Sequence, residues 1–154
     1  MIDYQEVKGD LIDLAKKGTF DVVAHGCNCF CTMGAGIAPQ MAYAFGCDKF
    51  PLEAEEYSGL ESKLGAIDYK TIDNNGKPLT VVNAYTQYGF GGRPFDYSAF
   101  AKIVDTMNNE FKGKHIGLPK IGAGLAGGSW PVIKAIIHEG LKDCKVTVVN
   151  YKKG

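Results

Sequence analysis

Glycines are concentrated in one stretch of this chain, residues 118–130, which we call the glycine loop. The loop begins at the end of a short apolar run at 115–119 and leads into a segment whose apolar residues recur at a helical period. Its closely spaced glycines are Gly122, Gly124, Gly127 and Gly128. A plain strand-to-helix turn needs only one or two residues at positive φ. A strand, a glycine loop and a helix N-terminus in this order direct backbone N–H groups to one point, so the pattern favours a phosphate-binding loop over a simple turn.

A second glycine-rich segment, residues 25–36, carries side chains that can do chemistry. It follows a β-branched run at 20–24 that is typical of a buried strand. His25 stands at its start, and because imidazole titrates near neutrality, a histidine there can act as a nucleophile or as a general acid or base. The alternative is that His25 only hydrogen-bonds to the loop backbone. Two glycine loops in one small domain favour a ligand with two phosphates.

A third irregular segment, residues 86–95, combines glycines with aromatic side chains. Phe90 and Phe95 could close over a sugar, or alternatively they could pack on the helix that follows. A diphosphate could also recruit the side chain of Arg93 or Lys120. For Arg93, a solvated loop charge is the simpler interpretation.

Length and composition narrow the class of protein. The 154 residues suit a single domain spanning 1–154. Because 17 Lys and Arg residues balance 17 Asp and Glu residues, we expect no general nucleic-acid binding. The N-terminus lacks the features of a signal peptide, and no apolar run is long enough to span a membrane, so no membrane association is expected. The five cysteines are odd in number, which favours a reducing cytoplasmic location.

The cysteines do not suggest a metal site. Three of them form a C-x-C-x-C run at 27–31, which differs from the C-x2-C knuckle of structural zinc sites. Cys47 and Cys144 are expected to be ordinary half-buried thiols. We therefore expect neither a metal nor another cofactor.

The elements that must position these segments alternate between strands and helices. Strands are predicted at 2–7, 20–24, 66–72, 79–85, 115–119 and 145–151, and helices at 11–17, 37–45, 51–57, 97–111 and 130–141. Asp10, Asp96 and Ser129 can cap the helices that follow them, and residues 74–76 predict a hairpin turn. The helix at 97–111 should bury the stripe Tyr97, Phe100, Val104, Met107 and Phe111. This alternation predicts a three-layer α/β/α sandwich with a mixed central sheet, whose ligand lies at the carboxyl ends of the strands.

With these segments in place, the sequence resembles the macrodomain family, whose members bind ADP-ribose and its derivatives. The resemblance covers essentially the whole chain and is carried by residues 7–11, 25–38 and 118–130. It implies that Asp10 accepts a hydrogen bond from the adenine amino group, that Asn28 lies against the distal ribose and that Tyr151 stacks on adenine. The segments and the resemblance together give these candidate ligand-binding residues: Gly9, Asp10, Leu11, Asn28, Met33, Gly34, Ala35, Gly36, Ile37, Phe90, Gly122, Ala123, Gly124, Leu125, Ala126, Gly127 and Tyr151.

Within this family, the run at 25–29 is most similar to the branch of the yeast ADP-ribose 1″-phosphate phosphatase. That branch has His-Ser-Cys-Asn-Cys at this place and a Phe-Gly-Gly like residues 90–92. Its histidine is proposed to be catalytic. The resemblance therefore implies that the chain binds ADP-ribose and dephosphorylates ADP-ribose 1″-phosphate, with His25 as the catalytic residue.

Departures from related branches keep other functions open. The terminal ADP-ribose glycohydrolases use a lysine and an aspartate where this chain has Thr86 or Gln87 and Ala126. Other macrodomains carry an aspartate at the position of Ser129. Besides the phosphatase, the chain could be a hydrolase that removes ADP-ribose from a modified macromolecule, or a non-catalytic ADP-ribose reader.

Overall fold

Ten helices and strands make up the described part of this computed structural model, which covers residues 3–28, 37–47, 63–87, 95–123 and 127–151. In chain order they are β1 (Asp3–Gly9), α1 (Leu11–Lys16), β2 (Val22–Asn28), α2 (Ala38–Phe45), β3 (Ile67–Asn74), β4 (Lys77–Gln87), α3 (Tyr97–Glu110), β5 (His115–Leu118), α4 (Trp130–Gly140) and β6 (Lys145–Tyr151). The helix expected at 51–57 lies outside the described residues. Within the described ranges, no helix is both long enough and apolar enough to cross a membrane.

The strands form one mixed sheet in the order β1-β6-β5-β2-β4-β3. Four neighbouring pairs are parallel: β1 with β6, β6 with β5, β5 with β2, and β2 with β4. In the described sheet, only β3 runs antiparallel to its neighbour, which is β4. Asn75 and Gly76 join β3 to β4 with φ values of 54° and 88°, the left-handed backbone that a two-residue hairpin turn requires. The predicted hairpin turn and the mixed sheet are confirmed.

Helices cover both faces of this sheet. Successive residues of a strand point to opposite faces, so one strand can contribute side chains to both cores. In β2, Val22 and Ala24 belong to the core beneath α3 and α4, whereas Val23 belongs to the core beneath α1 and α2. Val148 and Val149 of β6 divide between the two cores in the same way. The three-layer α/β/α sandwich is therefore confirmed.

Strands β2 and β4 extend further than the sequence predicted. Residues 25–28 were expected to start a loop, but they continue β2 because they pair with β4, with His25 opposite Asn83 and Cys27 opposite Tyr85. Thr86 and Gln87, expected in the third segment, are likewise part of β4. Pairing with the neighbouring strand outweighs the loop-like composition of these residues.

Two expectations about burial are wrong. Tyr97 is 38% exposed, whereas the other members of the predicted α3 stripe are buried. It occupies the first position of α3, where its hydroxyl accepts a hydrogen bond from the Ser129 N–H at 2.8 Å. Cys47 and Cys144 are fully buried rather than half-buried.

Candidate functional site

A cavity of about 630 Å³ opens at the carboxyl ends of β1, β5 and β6. Its size is within the range of small-molecule sites, and its place is where parallel sheets bind ligands. Because β6 lies between β1 and β5, its residues Val149 and Tyr151 line the middle of the cavity. The side nearest α1 and α2 is lined by Asp10, Leu11, Ile12, Ile37 and Gln40. The side nearest the glycine loop is lined by Pro119, Lys120, Ala123, Gly128 and Trp130.

Asp10 combines a structural bond with a position on the cavity wall. Its backbone is extended, and its Oδ1 atom accepts hydrogen bonds from the N–H groups of Ile12 at 2.9 Å and Asp13 at 3.2 Å. The predicted N-cap is thus confirmed. These bonds use Oδ1, so the second oxygen, Oδ2, is the acceptor that Asp10 can offer to a ligand.

The base of the glycine loop is closed by its own packing. The Gly128 N–H donates to the carbonyl oxygen of Gly122 at 2.7 Å. Gly122 has a φ of 76°, and a Cβ atom there would overlap the ring of Phe95. A Cβ atom at Gly128 would lie 2.7 Å from the carbonyl oxygen of Gly122 and 3.1 Å from the ring of Phe95. Phe95 therefore packs beneath the glycine loop, and part of the glycine requirement is steric.

Several amides of the glycine loop already have protein partners. The N–H of Ile121 donates to the carbonyl of Pro119 at 2.7 Å, and the N–H of Ala123 donates to that of Lys120 at 3.2 Å. With the bonds of Gly128 and Ser129 given above, four amides cannot face an anion without losing an existing bond. Among the amides that the structure describes in this loop, those of Ile121, Ala123, Gly128 and Ser129 are therefore engaged within the protein.

Ser129 and Pro131 begin α4 as the sequence predicted, with one difference. Ser129 occupies the N-cap position with extended backbone, and Pro131 lies in the first turn. Within the described helix, however, the Ser129 side chain makes no capping hydrogen bond. The helix start is therefore set by the backbone and by Tyr97.

Lys120 and Trp130 meet at the wall formed by the glycine loop. The Lys120 Nζ atom lies over the indole of Trp130, 5.6 Å from the ring centroid. Both side chains line the cavity, and Lys120 is exposed. Among the described residues that line the cavity, one side chain is acidic and one is basic, Asp10 and Lys120, and they lie on opposite sides of β6.

His25 lies in the core on the α2 side of the sheet and not on the cavity wall. Its side chain is 0% exposed, and its Nε2 atom lies 2.8 Å from Asn83 Oδ1. Asn83 Nδ2 donates to the Cys47 carbonyl at 2.8 Å, which fixes the orientation of the amide. Because an amide oxygen only accepts, the geometry assigns the His25 proton to Nε2.

The surroundings of His25 favour the neutral ring. The Sγ atoms of Cys27 and Cys47 lie 3.6 and 3.5 Å from His25 Nε2. Burial lowers the pKa of His25 to about 4, although the hydrogen bond with Asn83 acts in the opposite direction. At neutral pH the ring is therefore uncharged, and its catalytic role stays a prediction.

The structure brings some of the predicted ligand-binding residues together at the cavity. Those that line it are Asp10, Leu11, Ile37, Ala123 and Tyr151. Tyr151 is 74% exposed, at the rim. Three other candidates do not line the cavity but directly precede residues that do: Gly9, Gly122 and Gly127. Asn28 is the last residue of β2. The remaining candidates lie outside the described residues: Met33, Gly34, Ala35, Gly36, Phe90, Gly124, Leu125 and Ala126.

Sequence reasoning missed several lining residues that adjoin the predicted ones. Ile12 directly follows the predicted Asp10 and Leu11, and Gln40 lies one helical turn after Ile37. Trp130 is the first residue of α4. Extending the first two motifs by one helical turn would have found Ile12 and Gln40, whereas Trp130 already ends the glycine loop.

Comparison with known proteins defines the family and the fold. No family model matches the sequence. The chain is 34% identical, over 154 residues and 95% of both chains, to the uncharacterized 17.5 kDa protein in the tk-vs intergenic region of Enterobacteria phage T4. The macrodomain of Thermus aquaticus DarG superposes with a TM-score of 0.70 at 22% identity, covering 97% of this chain and 98% of that one. Thermosipho africanus DarTG, in complex with ADP-ribose, superposes with a TM-score of 0.71 at 17% identity, covering 98% of this chain and 42% of that one. The chain therefore belongs to the family of this phage T4 protein, and its fold is that of the macrodomains.

Proposed function

We propose that the chain binds ADP-ribose in the cavity at the carboxyl ends of β1, β5 and β6. The observation that carries this proposal is the placement of the Asp10 carboxylate and the glycine loop on opposite sides of β6, along one cavity. A nucleotide sugar needs an acceptor for its base at one end and donors for its phosphates further along. The DarTG protein of T. africanus, which shares the fold, was solved with ADP-ribose.

The chemistry of the walls suits this ligand. Leu11, Ile12 and Val149 provide apolar surface for a base, and Asp10 Oδ2 can accept a hydrogen bond from the adenine amino group. Tyr151 lies at the rim beside this surface, so it can cover one face of the base. The diphosphate would then extend toward the glycine loop.

Calorimetry with two matched variants tests the proposal. Asp10→Asn keeps an N-cap acceptor but replaces the second oxygen with an amide donor that cannot accept from adenine. We expect it to weaken ADP-ribose binding about tenfold or more, because hydrogen bonds to charged groups are strong. Asp96→Asn is the control, since Asp96 caps α3 in the same way and is not part of the cavity lining. Absence of heat from the folded wild type at millimolar ADP-ribose would refute the proposal.

Binding without turnover is the activity that the geometry supports best. Nucleophilic or acid catalysis requires the catalytic atom to reach the ligand. The ring of His25 is buried, and among the described residues the cavity lining includes no histidine. We therefore favour a reader over a phosphatase that depends on His25.

A comparison of substrates distinguishes these activities. Wild type and His25→Asn are incubated with ADP-ribose 1″-phosphate, and wild type separately with an ADP-ribosylated protein. A reader binds these compounds and releases neither phosphate nor ADP-ribose. Phosphate release that is lost in a folded His25→Asn variant would support the phosphatase, whereas equal release by both proteins would exclude His25 from the mechanism.

A further inference from the structure

We propose that Lys120 selects ligands that carry phosphate, by exchanging its contact with Trp130 for an ion pair with the ligand. This inference rests on the proposed function, because it assigns one feature of the ligand to one side chain of the same cavity. It concerns the charge of the ligand and not its base.

The first support is the distribution of charge in the cavity. Among the described residues that line the cavity, Asp10 and Lys120 are the only ones with a formal charge, and their charges are opposite. A diphosphate is repelled by the carboxylate of Asp10 and attracted by the ammonium of Lys120. A ligand with a neutral base and charged phosphates therefore has a preferred direction, with its phosphates on the side of the glycine loop.

The second support is the present environment of the Lys120 ammonium. Among the described residues, the ion pair with an N–O distance below 4.0 Å is formed by Lys134 and Glu6. Lys120 is not part of it. The recorded contact of Lys120 Nζ is the face of Trp130, at 5.6 Å from the centroid. A cation over an indole at an exposed site is held weakly, whereas a phosphate offers charge-assisted hydrogen bonds. The ammonium can therefore move to a phosphate at little cost.

The third support is the engagement of four described amides of the glycine loop. The N–H groups of Ile121, Ala123, Gly128 and Ser129 already have partners in the protein. Lys120 lies within this loop, and its carbonyl accepts a hydrogen bond from the Ala123 N–H, so its backbone is part of the same turn. The ammonium of Lys120 supplies charge stabilisation at this point that these four engaged amides do not.

The test compares three ligands that share adenine but differ in charge: adenosine, ADP and ADP-ribose. Lys120→Met removes the ammonium and keeps an apolar side chain that can rest on Trp130. We expect about a tenfold loss of affinity for ADP and ADP-ribose and little change for adenosine, because only the phosphorylated ligands lose a charge-assisted bond. The salt dependence of ADP binding should also become weaker in this variant.

Lys142→Met is the matched control, because Lys142 is exposed and lies outside the cavity lining. Thermal melting shows whether each variant is folded. Trp130 is the one tryptophan of the chain, so its fluorescence gives a second binding signal beside calorimetry. The Lys142→Met variant should bind all three ligands as the wild type does.

The outcomes separate this inference from the proposed function. Equal losses for adenosine and ADP in Lys120→Met would mean that Lys120 only shapes the cavity, and unchanged ADP affinity would mean that it does not meet the phosphates. Either result overturns the inference while ADP-ribose binding stands. Failure of the wild type to bind any of the three ligands would overturn both.

Discussion

At the scale of single residues, His25 links the stability of the protein to pH. Burial lowers the pKa of its imidazole from 6.5 to about 4. Between these two values the unfolded chain binds a proton that the folded chain does not, so acid favours unfolding. We expect the free energy of unfolding to fall by roughly 3 kcal/mol on acidification through this window, from the His25 contribution alone. Urea unfolding at several pH values measures it.

The variant His25→Gln isolates this contribution from that of the carboxyl groups. Glutamine can still donate a hydrogen bond to Asn83 but does not titrate. The variant should be less stable than the wild type near neutral pH, and its stability should change less between pH 6.5 and about 4. Parallel pH profiles for the two proteins would show that His25 keeps an ordinary pKa in the folded state.

Asp10 and His25 show which site residues a sequence can predict. The capping role of Asp10 depends on the next three residues, so local sequence was sufficient to predict it. The burial of His25 depends on Asn83, which is 58 residues away and reaches it through the pairing of β2 with β4. Histidine at a strand end gives the same sequence signal whether it faces a ligand or the core.

At the scale of elements, Phe95 packs against Gly122 at the closed base of the glycine loop. Gly122 and Gly113 both have a φ of 76°, but a Cβ atom at Gly113 would meet no atom within 4 Å. We expect Gly113→Ala to cost about 1 kcal/mol from backbone strain alone. Gly122→Ala should cost about 1 to 3 kcal/mol more, because its methyl group also overlaps the Phe95 ring. Urea unfolding of both variants measures the difference.

Ligand binding extends this test from stability to the site. Because Gly122 begins the closed base of the loop, Gly122→Ala should also weaken ADP-ribose binding, whereas Gly113→Ala should leave it unchanged. Equal losses of stability in the two variants would contradict a tight contact between Phe95 and the loop.

Most elements follow from periodicity and turn residues, and the exceptions have a common cause. The predicted strand at 145–151 coincides with β6, and the predicted helix at 11–17 extends one residue beyond α1. The prediction ended β2 at residue 24, whereas the strand continues to Asn28. Its last four residues are polar or small, so their strand conformation depends on β4, which local sequence does not reveal.

At the scale of the whole molecule, the cavity joins segments that are far apart in the chain. Its lining comes from the start of α1, from α2, from the glycine loop with the start of α4, and from β6. The sheet order brings these together, since β1 and β5 both pair with β6. The fold class predicted where the site would be, but not that Gln40 and Lys120 would share it, because that depends on the placement of α2 and of the loop after β5.

This distribution predicts that ADP-ribose stabilises the molecule as one unit. The ligand would contact elements from both helical layers and from the sheet between them, and a native-state ligand stabilises against unfolding. At about 100 times Kd the gain is about 2.7 kcal/mol, which corresponds to a rise of roughly 5 to 10 °C in Tm for a chain of this size. Thermal unfolding followed by circular dichroism measures the shift, and hydrogen exchange locates it. Protection should increase in β1, β5 and β6 together; protection confined to one helix, with no change in Tm, would contradict a site shared by both layers.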